Sequence, residues 1–135
     1  MRLFPHRCIS LTAEGRPCWR RVRRAGERCD WCWDSLATST RTLYRIEVAR
    51  EPALPEWVVE ILVVDPSPAV RMTLAARPDL SPARLIALGG DHDPTVVRQV
   101  AAHSATPSEV RAALCFHPDP FAARAARVMA SRVAA

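Results

Sequence analysis

A short proline-containing motif recurs at a fixed interval, and this recurrence constrains the fold more than any other feature of the chain. One series of Ser-Pro or Asp-Pro pairs advances by a constant step: Ser67-Pro68, Asp93-Pro94 and Asp119-Pro120. A second series lies between these pairs: Ser81-Pro82 and Thr106-Pro107, with Pro55 in register upstream. Ser, Asp and Thr side chains accept hydrogen bonds from free N–H groups at a helix start, and a proline just after them leaves no N–H unpaired. Two such starts per unit predict two short helices in each repeat of about 26 residues.

The apolar residues of each repeat support the same interpretation. They stand three or four positions apart, which places them on one face of a helix. The pairs are Val70 with Leu74, Leu85 with Leu88, Val96 with Val100, and Val110 with Leu114. No segment alternates with a period of two, so the sequence predicts an all-α fold without a sheet. One repeat cannot bury its apolar face alone, and neighbouring repeats must therefore stack.

The two full repeats resemble the leucine-rich repeat variant family. The resemblance rests on "DPSPAVRMTLAARPDLSP" and its echo "DPTVVRQVAAHSATP", and it covers residues 40–135. It implies that each repeat pairs an α-helix with a short 3₁₀-like helix, and that residues 37–135 form a short right-handed α-solenoid. HEAT-like helical hairpins are the alternative, although their repeats are usually longer than these. The first repeat, with its bulky Trp57, and the truncated last one are typical of capping repeats.

Four of the five cysteines lie close together near the start of the chain, in residues 1–36. They are Cys8, Cys18, Cys29 and Cys32. Two residues separate Cys29 from Cys32, so a tight turn aims both sulfurs at one ion, and four thiolates complete a tetrahedral Zn²⁺ site. So short a segment cannot build an adequate core alone, and bound metal supplies folding energy. We predict that residues 1–36 form a four-cysteine metal-binding module that caps the repeat array.

The predicted cellular compartment argues against disulfides. "MRLFPHRC" lacks the apolar core of a secretory signal, and no apolar run approaches the ~20 residues of a membrane span. We therefore predict a cytoplasmic protein with no membrane partner, in a compartment that keeps thiols reduced. Cys115, on an apolar repeat face, is interpreted as a buried inert thiol.

The cysteine segment also resembles small bacterial zinc-binding modules. The matching residues are "RCISLTAEGRPC" followed by "CDWC", with Cys32 at a position where such modules often have histidine. Some leucine-rich repeat variant proteins carry an N-terminal iron–sulfur module, and a 4Fe-4S cluster also takes four cysteines. Zinc is the primary prediction, a 4Fe-4S cluster is the alternative, and thiols without a metal are the third interpretation.

A run of arginines lies between the cysteines: Arg20, Arg21, Arg23 and Arg24. The chain has a net charge of +5, and residues 1–34 hold 8 arginines against 4 acids. The run has three interpretations: it compensates the negative metal–thiolate centre, it is a solvated face, or it contacts nucleic-acid phosphates. Arg71, Arg98 and Arg124 would extend the third interpretation along the repeats.

No Ser-His-Asp order, paired carboxylates or phosphate-binding glycine loop stands out, so we do not predict an enzyme. The sequence instead predicts a metal-binding helical-repeat protein that acts as an adaptor or scaffold, with a protein partner on the solenoid surface. A nucleic-acid-binding regulator that uses the arginine run is the first alternative. An iron–sulfur redox or sensor protein is the second.

Overall fold

A computed structural model of the chain describes residues 30–135, and within this range all regular structure is helical. The all-α prediction is confirmed for this part of the chain. The helices of the first half are α1 (Asp30–Ala37), α2 (Thr42–Arg50), α3 (Glu56–Val63) and α4 (Pro68–Ala75). Those of the second half are α5 (Pro82–Gly89), α6 (Pro94–Ala102), α7 (Ser108–Leu114) and α8 (Pro120–Ala134).

The helix starts form two interleaved series, and each series advances by the interval of the proline motif. The odd-numbered helices begin at Asp30, Glu56, Pro82 and Ser108. The even-numbered helices begin at Thr42, Pro68, Pro94 and Pro120. The periodic pattern thus reaches upstream to α1, most of which falls in the predicted four-cysteine module of residues 1–36. The boundary between that module and residues 37–135 remains a prediction.

The contacts divide the chain into two compact units, Met1–Leu62 and Val63–Ala135. In the first unit α1 packs against α2. Its fully buried apolar side chains include Cys32, Val48, Val58 and Leu62. Trp33 and Leu36 are also buried, whereas Trp31 is 47% exposed.

The second unit consists of two rows of helices. In one row α4 packs against α6 and α6 against α8, and in the other α5 packs against α7. The rows are joined because α5 contacts α4 and α6, and α7 contacts α8. The predicted apolar stripes lie in this core: Val70, Leu74, Leu85, Leu88, Val96, Val100 and Leu114 are buried, and Val110 is partly exposed. Burial of each such side chain contributes about 1.5–3 kcal/mol.

The helix starts agree with the predicted motifs, but the capping differs. Asp93 and Asp119 accept hydrogen bonds from the N–H groups of Thr95 and Ala122, each at 2.8 Å. Ser67 and Ser81 make no such bond. Aspartate therefore acts as the predicted cap and serine does not.

The second series departs from expectation at α7. This helix begins at Ser108, one residue after Pro107, and the Thr106 hydroxyl donates back to the carbonyl oxygen of Val100 at 2.6 Å. The odd-numbered helices of the second unit, α5 and α7, are α-helices of 8 and 7 residues. The 3₁₀-like helix implied by the family resemblance is thus replaced by an α-helix in both repeats.

One turn recurs before each even-numbered helix. In every copy a side chain accepts a hydrogen bond from the backbone N–H two residues later, which is the Asx-type geometry that polar residues give to turns. The pairs are Ser39 with Arg41, Asp65 with Ser67, Asp91 with Asp93, and His117 with Asp119, at 3.2, 2.8, 2.8 and 3.1 Å. The accepting residues are one repeat interval apart, so the repeat is present in the hydrogen bonds as well as in the helix starts.

Arg71 joins two successive turns of the second unit. Its Nη1 donates to the carbonyl oxygen of Asp65 at 2.5 Å. Its Nε and Nη2 donate to Asp91 Oδ2 and Oδ1 at 2.7 and 2.9 Å. Burial alone would raise the pKa of Asp91, but hydrogen bonds from Arg71 and from the Asp93 backbone hold it below its usual value. The pair therefore stays ionised although the arginine is only 4% exposed.

His103 forms a further link across one repeat interval. Its Nδ1 accepts from the N–H of Ala105 at 3.1 Å, so the proton of the neutral ring lies on Nε2. Nε2 donates to the carbonyl oxygen of Arg77 at 2.7 Å. A buried imidazole thereby satisfies a carbonyl that follows α4, at the corresponding position of the preceding repeat.

The buried pair between Arg71 and Asp91 yields a stability prediction. In Asp91→Asn the amide oxygen still accepts from the Asp93 N–H, so the substitution removes the charge and keeps the turn. The buried guanidinium then lacks its counter-charge, and we expect the free energy of unfolding to fall by roughly 3 kcal/mol. Urea denaturation followed by far-UV circular dichroism measures this change.

Glu47→Gln is the matched control. Glu47 also pairs with an arginine, Arg50, at 3.0 Å, but the two side chains are 29% and 62% exposed. Surface pairs of this kind contribute under about 1 kcal/mol. Equal losses in the two variants would contradict the role assigned to Asp91.

Candidate functional site

The predicted metal ligands lie mostly outside the described residues. This holds for Cys8, Cys18 and Cys29, while Cys32 lies in the first turn of α1 and is fully buried. The metal-binding role of Cys32 therefore stays a prediction. Within residues 30–135, no three His, Cys, Asp or Glu side chains are grouped to hold a metal ion.

The predicted nucleic-acid contacts receive a partial correction. Arg20, Arg21, Arg23 and Arg24 lie outside the described residues. Arg71 is buried and holds Asp91, so it is not available for a phosphate contact, and Arg98 pairs with Asp119. The sequence shows these charges but does not reveal that an aspartate in the following repeat lies opposite each of them.

Arg98 contacts the start of α8 through two hydrogen bonds and one cation–π contact. Its Nε and Nη2 donate to Asp119 Oδ2 and Oδ1 at 2.8 and 2.6 Å. Its guanidinium also lies 4.7 Å from the ring centroid of Phe121, in cation–π geometry. The hydrogen bonds from Arg98, helped by the N–H of Ala122, lower the pKa of Asp119 to about 2. An arginine on α6 thus fixes the acidic N-cap of the next helix in the row.

Arg124 occupies the same place on α8 as Arg98 does on α6, one repeat interval later. It is exposed, and within residues 30–135 no carboxylate pairs with it. It borders an open groove of about 450 Å³ along α8. The groove is lined by apolar side chains and two arginines: Ala102, Phe121, Arg124, Ala125, Val128, Met129 and Arg132. We call this surface the α8 groove.

The distribution of large and small side chains on α8 is inverted relative to α6. The positions that α6 buries as Val96, Val97 and Val100 are Ala122, Ala123 and Ala126 on α8. The exposed positions held by Thr95 and Ala102 on α6 correspond to Phe121 and Val128 on α8. These two side chains are 63% and 44% exposed. The larger apolar groups of α8 therefore face outward.

Sequence reasoning missed this groove. The segment "PFAARAARVM" is predicted only as part of the truncated last repeat, with no surface of its own. A detectable signal is present, because alignment with α6 puts Phe121 and Val128 at positions where the preceding repeat has Thr95 and Ala102.

A second concave surface lies in the first unit. It has a volume of about 490 Å³ and is lined by Asp30, Trp31, Asp34 and Trp57. Its two carboxylates and two indoles favour a cationic ligand, whereas the arginines of the α8 groove favour an anionic one.

No protein-family model, curated protein or solved structure matches this chain. Among residues 30–135, no helix is both long enough and apolar enough to span a bilayer.

The pair between Arg98 and Asp119 predicts a pH dependence of stability. The pKa of Asp119 is about 2 in the folded chain, below its value of 3.8 as an unperturbed group. A depressed pKa stabilises the fold above the unfolded value, and this contribution is lost as the pH falls through the folded value. We expect the free energy of unfolding to decline between about pH 4 and pH 2. In Asp119→Asn this decline should be shallower.

Urea denaturation at a series of pH values tests this expectation. Glu109→Gln, on the exposed first turn of α7, serves as the control because the same charge is removed away from Arg98. If Asp119→Asn and Glu109→Gln gave the same pH profile, the assignment to Asp119 would be wrong.

Proposed function

We propose that this chain is a helical-repeat adaptor that binds a helix of a protein partner in the α8 groove. One observation carries the proposal: α8 directs its large apolar side chains outward while burying alanines. Exposed apolar surface bordered by polar groups is typical of protein-interaction sites. Grooves of this kind accept the apolar face of an amphipathic helix.

The repeat pattern supports an α-solenoid for residues 37–135. Helix starts, turns and the bond from His103 to Arg77 share one interval, and in the second unit each even-numbered helix packs against the next. The α8 groove runs along one helix of this unit, so a second helix lying in it contacts both its apolar side chains and its arginines.

Peptide titration with NMR detection tests the proposed function. The probe is a short uncharged helical peptide of leucine, alanine and glutamine, added to the ¹⁵N-labelled full chain. We expect chemical-shift changes to concentrate on the residues of the α8 groove. Val128→Ser should weaken binding about tenfold, since it removes one buried apolar side chain from the contact.

Ile86→Ser is the control for this titration. Ile86 is also a large apolar residue at an exposed helix position, on α5, with 53% exposure. It lies outside the α8 groove and should leave the affinity unchanged. Shift changes spread over all exposed apolar positions, or none at all, would overturn the proposed function.

We also propose that Cys8, Cys18, Cys29 and Cys32 bind one Zn²⁺ that stabilises the N-terminal segment. The set of four cysteines and the two-residue spacing of Cys29 and Cys32 support this site. A 4Fe-4S cluster is the alternative for the same ligands. The arginine run would then lie between ligands and balance their negative charge.

Metal analysis of the chain, purified without oxygen, tests the zinc site. We expect about one zinc per chain, retained in Cys115→Ser and lost in Cys32→Ser. Cys115 is the matched control because it is the only cysteine of the sequence outside the proposed set. Iron and sulfide in stoichiometric amounts would show that these cysteines hold a 4Fe-4S cluster and not zinc. A chain with neither metal would refute the site.

A further inference from the structure

Arg124, one of the two arginines that line the α8 groove, indicates the chemistry of the partner. Arg98 and Arg124 share a register, and Arg98 already shows what an arginine at this position does. It takes the carboxylate at the start of the next helix with two hydrogen bonds. Arg124 borders an apolar groove, with Val128 and Met129 beside it, and is exposed.

We propose that the α8 groove binds a partner helix that begins with aspartate or glutamate, and that Arg124 holds this carboxylate as Arg98 holds Asp119. The inference rests on the proposed function and specifies its ligand. The helix would lie in the α8 groove with its acidic end at Arg124 and its apolar face on Val128 and Met129, which line the same groove.

The positive charge of the groove favours an acidic partner helix over a second copy of the chain or the chain's own N-terminal segment. Helix α8 contains three arginines and no acidic residue: Arg124, Arg127 and Arg132. A second copy of the chain packed through α8 would bring these like charges together. Residues 1–34 of the chain itself are basic, with 8 arginines against 4 acids, and are therefore also disfavoured. An acidic helix start, in contrast, meets a planar guanidinium suited to bidentate carboxylate binding.

Specificity would arise mainly at the acidic residue. A charge-assisted hydrogen bond changes affinity by roughly ten- to a hundredfold. Apolar contact with Val128 and Met129 would add affinity for many helices without discriminating among them. The proposal thus separates a general apolar contribution from a selective one at Arg124.

Fluorescence anisotropy with two synthetic peptides tests the inference. Both peptides form an amphipathic helix with the same leucine face; one begins Ser-Asp-Pro and the other Ser-Asn-Pro. For the full chain we expect the Asp-Pro peptide to bind about tenfold more tightly or better at low salt. The difference should shrink as salt is added, because the contact is solvent-exposed at its edge.

Two arginine variants locate the selectivity. In Arg124→Gln the preference for the Asp-Pro peptide should disappear. In Arg127→Gln, which removes the same charge from the same helix outside the groove, the preference should persist; Arg127 bonds to the carbonyl oxygen of Cys115 instead. Far-UV circular dichroism verifies that both variants keep their helix content. Charge reversal in Arg124→Glu should favour a peptide that begins Ser-Lys-Pro.

The outcomes separate this inference from the proposed function. If both peptides bind equally and Val128→Ser weakens both, the groove binds helices without acidic selectivity, and only the inference is overturned. If neither peptide binds, both are overturned. If a single-stranded oligonucleotide displaces the Asp-Pro peptide through Arg124, the groove binds phosphate and the inference is wrong.

Discussion

Two ion pairs between consecutive helices of one row organise the second unit. Arg71 reaches from α4 to the turn before α6, and Arg98 reaches from α6 to the turn before α8. Helices α4 and α6 have 8 and 9 residues, a length at which an isolated helix is marginal in water. Their stability depends on packing, and packing of similar short helices leaves their register open. The ion pairs fix this register, because a guanidinium that donates two hydrogen bonds to one carboxylate holds it in a single relative position.

The energetic consequence of this arrangement concerns specificity more than net stability. Burying the Arg71 guanidinium removes its hydration, and the ion pair with Asp91 offsets that cost. Burial of valine and leucine supplies most of the favourable free energy of folding. A valine on one helix, however, packs about equally well against several apolar side chains of similar size, so apolar burial alone does not fix the register. Charges that are satisfied in one register alone penalise the alternatives. Apolar burial therefore holds the helices together, and ion pairing fixes their register.

The helix positions were predictable from the sequence because proline and aspartate act locally. Pro68, Pro94 and Pro120 begin helices as expected, since a proline at this place needs no partner. The roles of Arg71 and Arg98 were not predictable in the same way, because each depends on a carboxylate that only the fold brings near. The α8 groove was missed for a related reason: exposure of Phe121 and Val128 is decided by what packs on α8, and local periodicity carries no such information. The predicted ligands Cys8, Cys18 and Cys29 lie outside the described residues and remain predictions.

The two arginines differ in which turn residue they hold, and this makes the repeats unequal as building blocks. Arg71 binds the first residue of the following turn, Asp91, whereas Arg98 binds the third residue of the next turn, Asp119. Duplication of residues 91–116 would keep both ion pairs, but Val97 holds the place of Arg71 in the copied repeat, so the copied Asp91 would lack an arginine. Deletion of the same residues would set Arg71 against His117 at the first place. Neither gain nor loss of the middle repeat would leave every buried charge of the second unit paired.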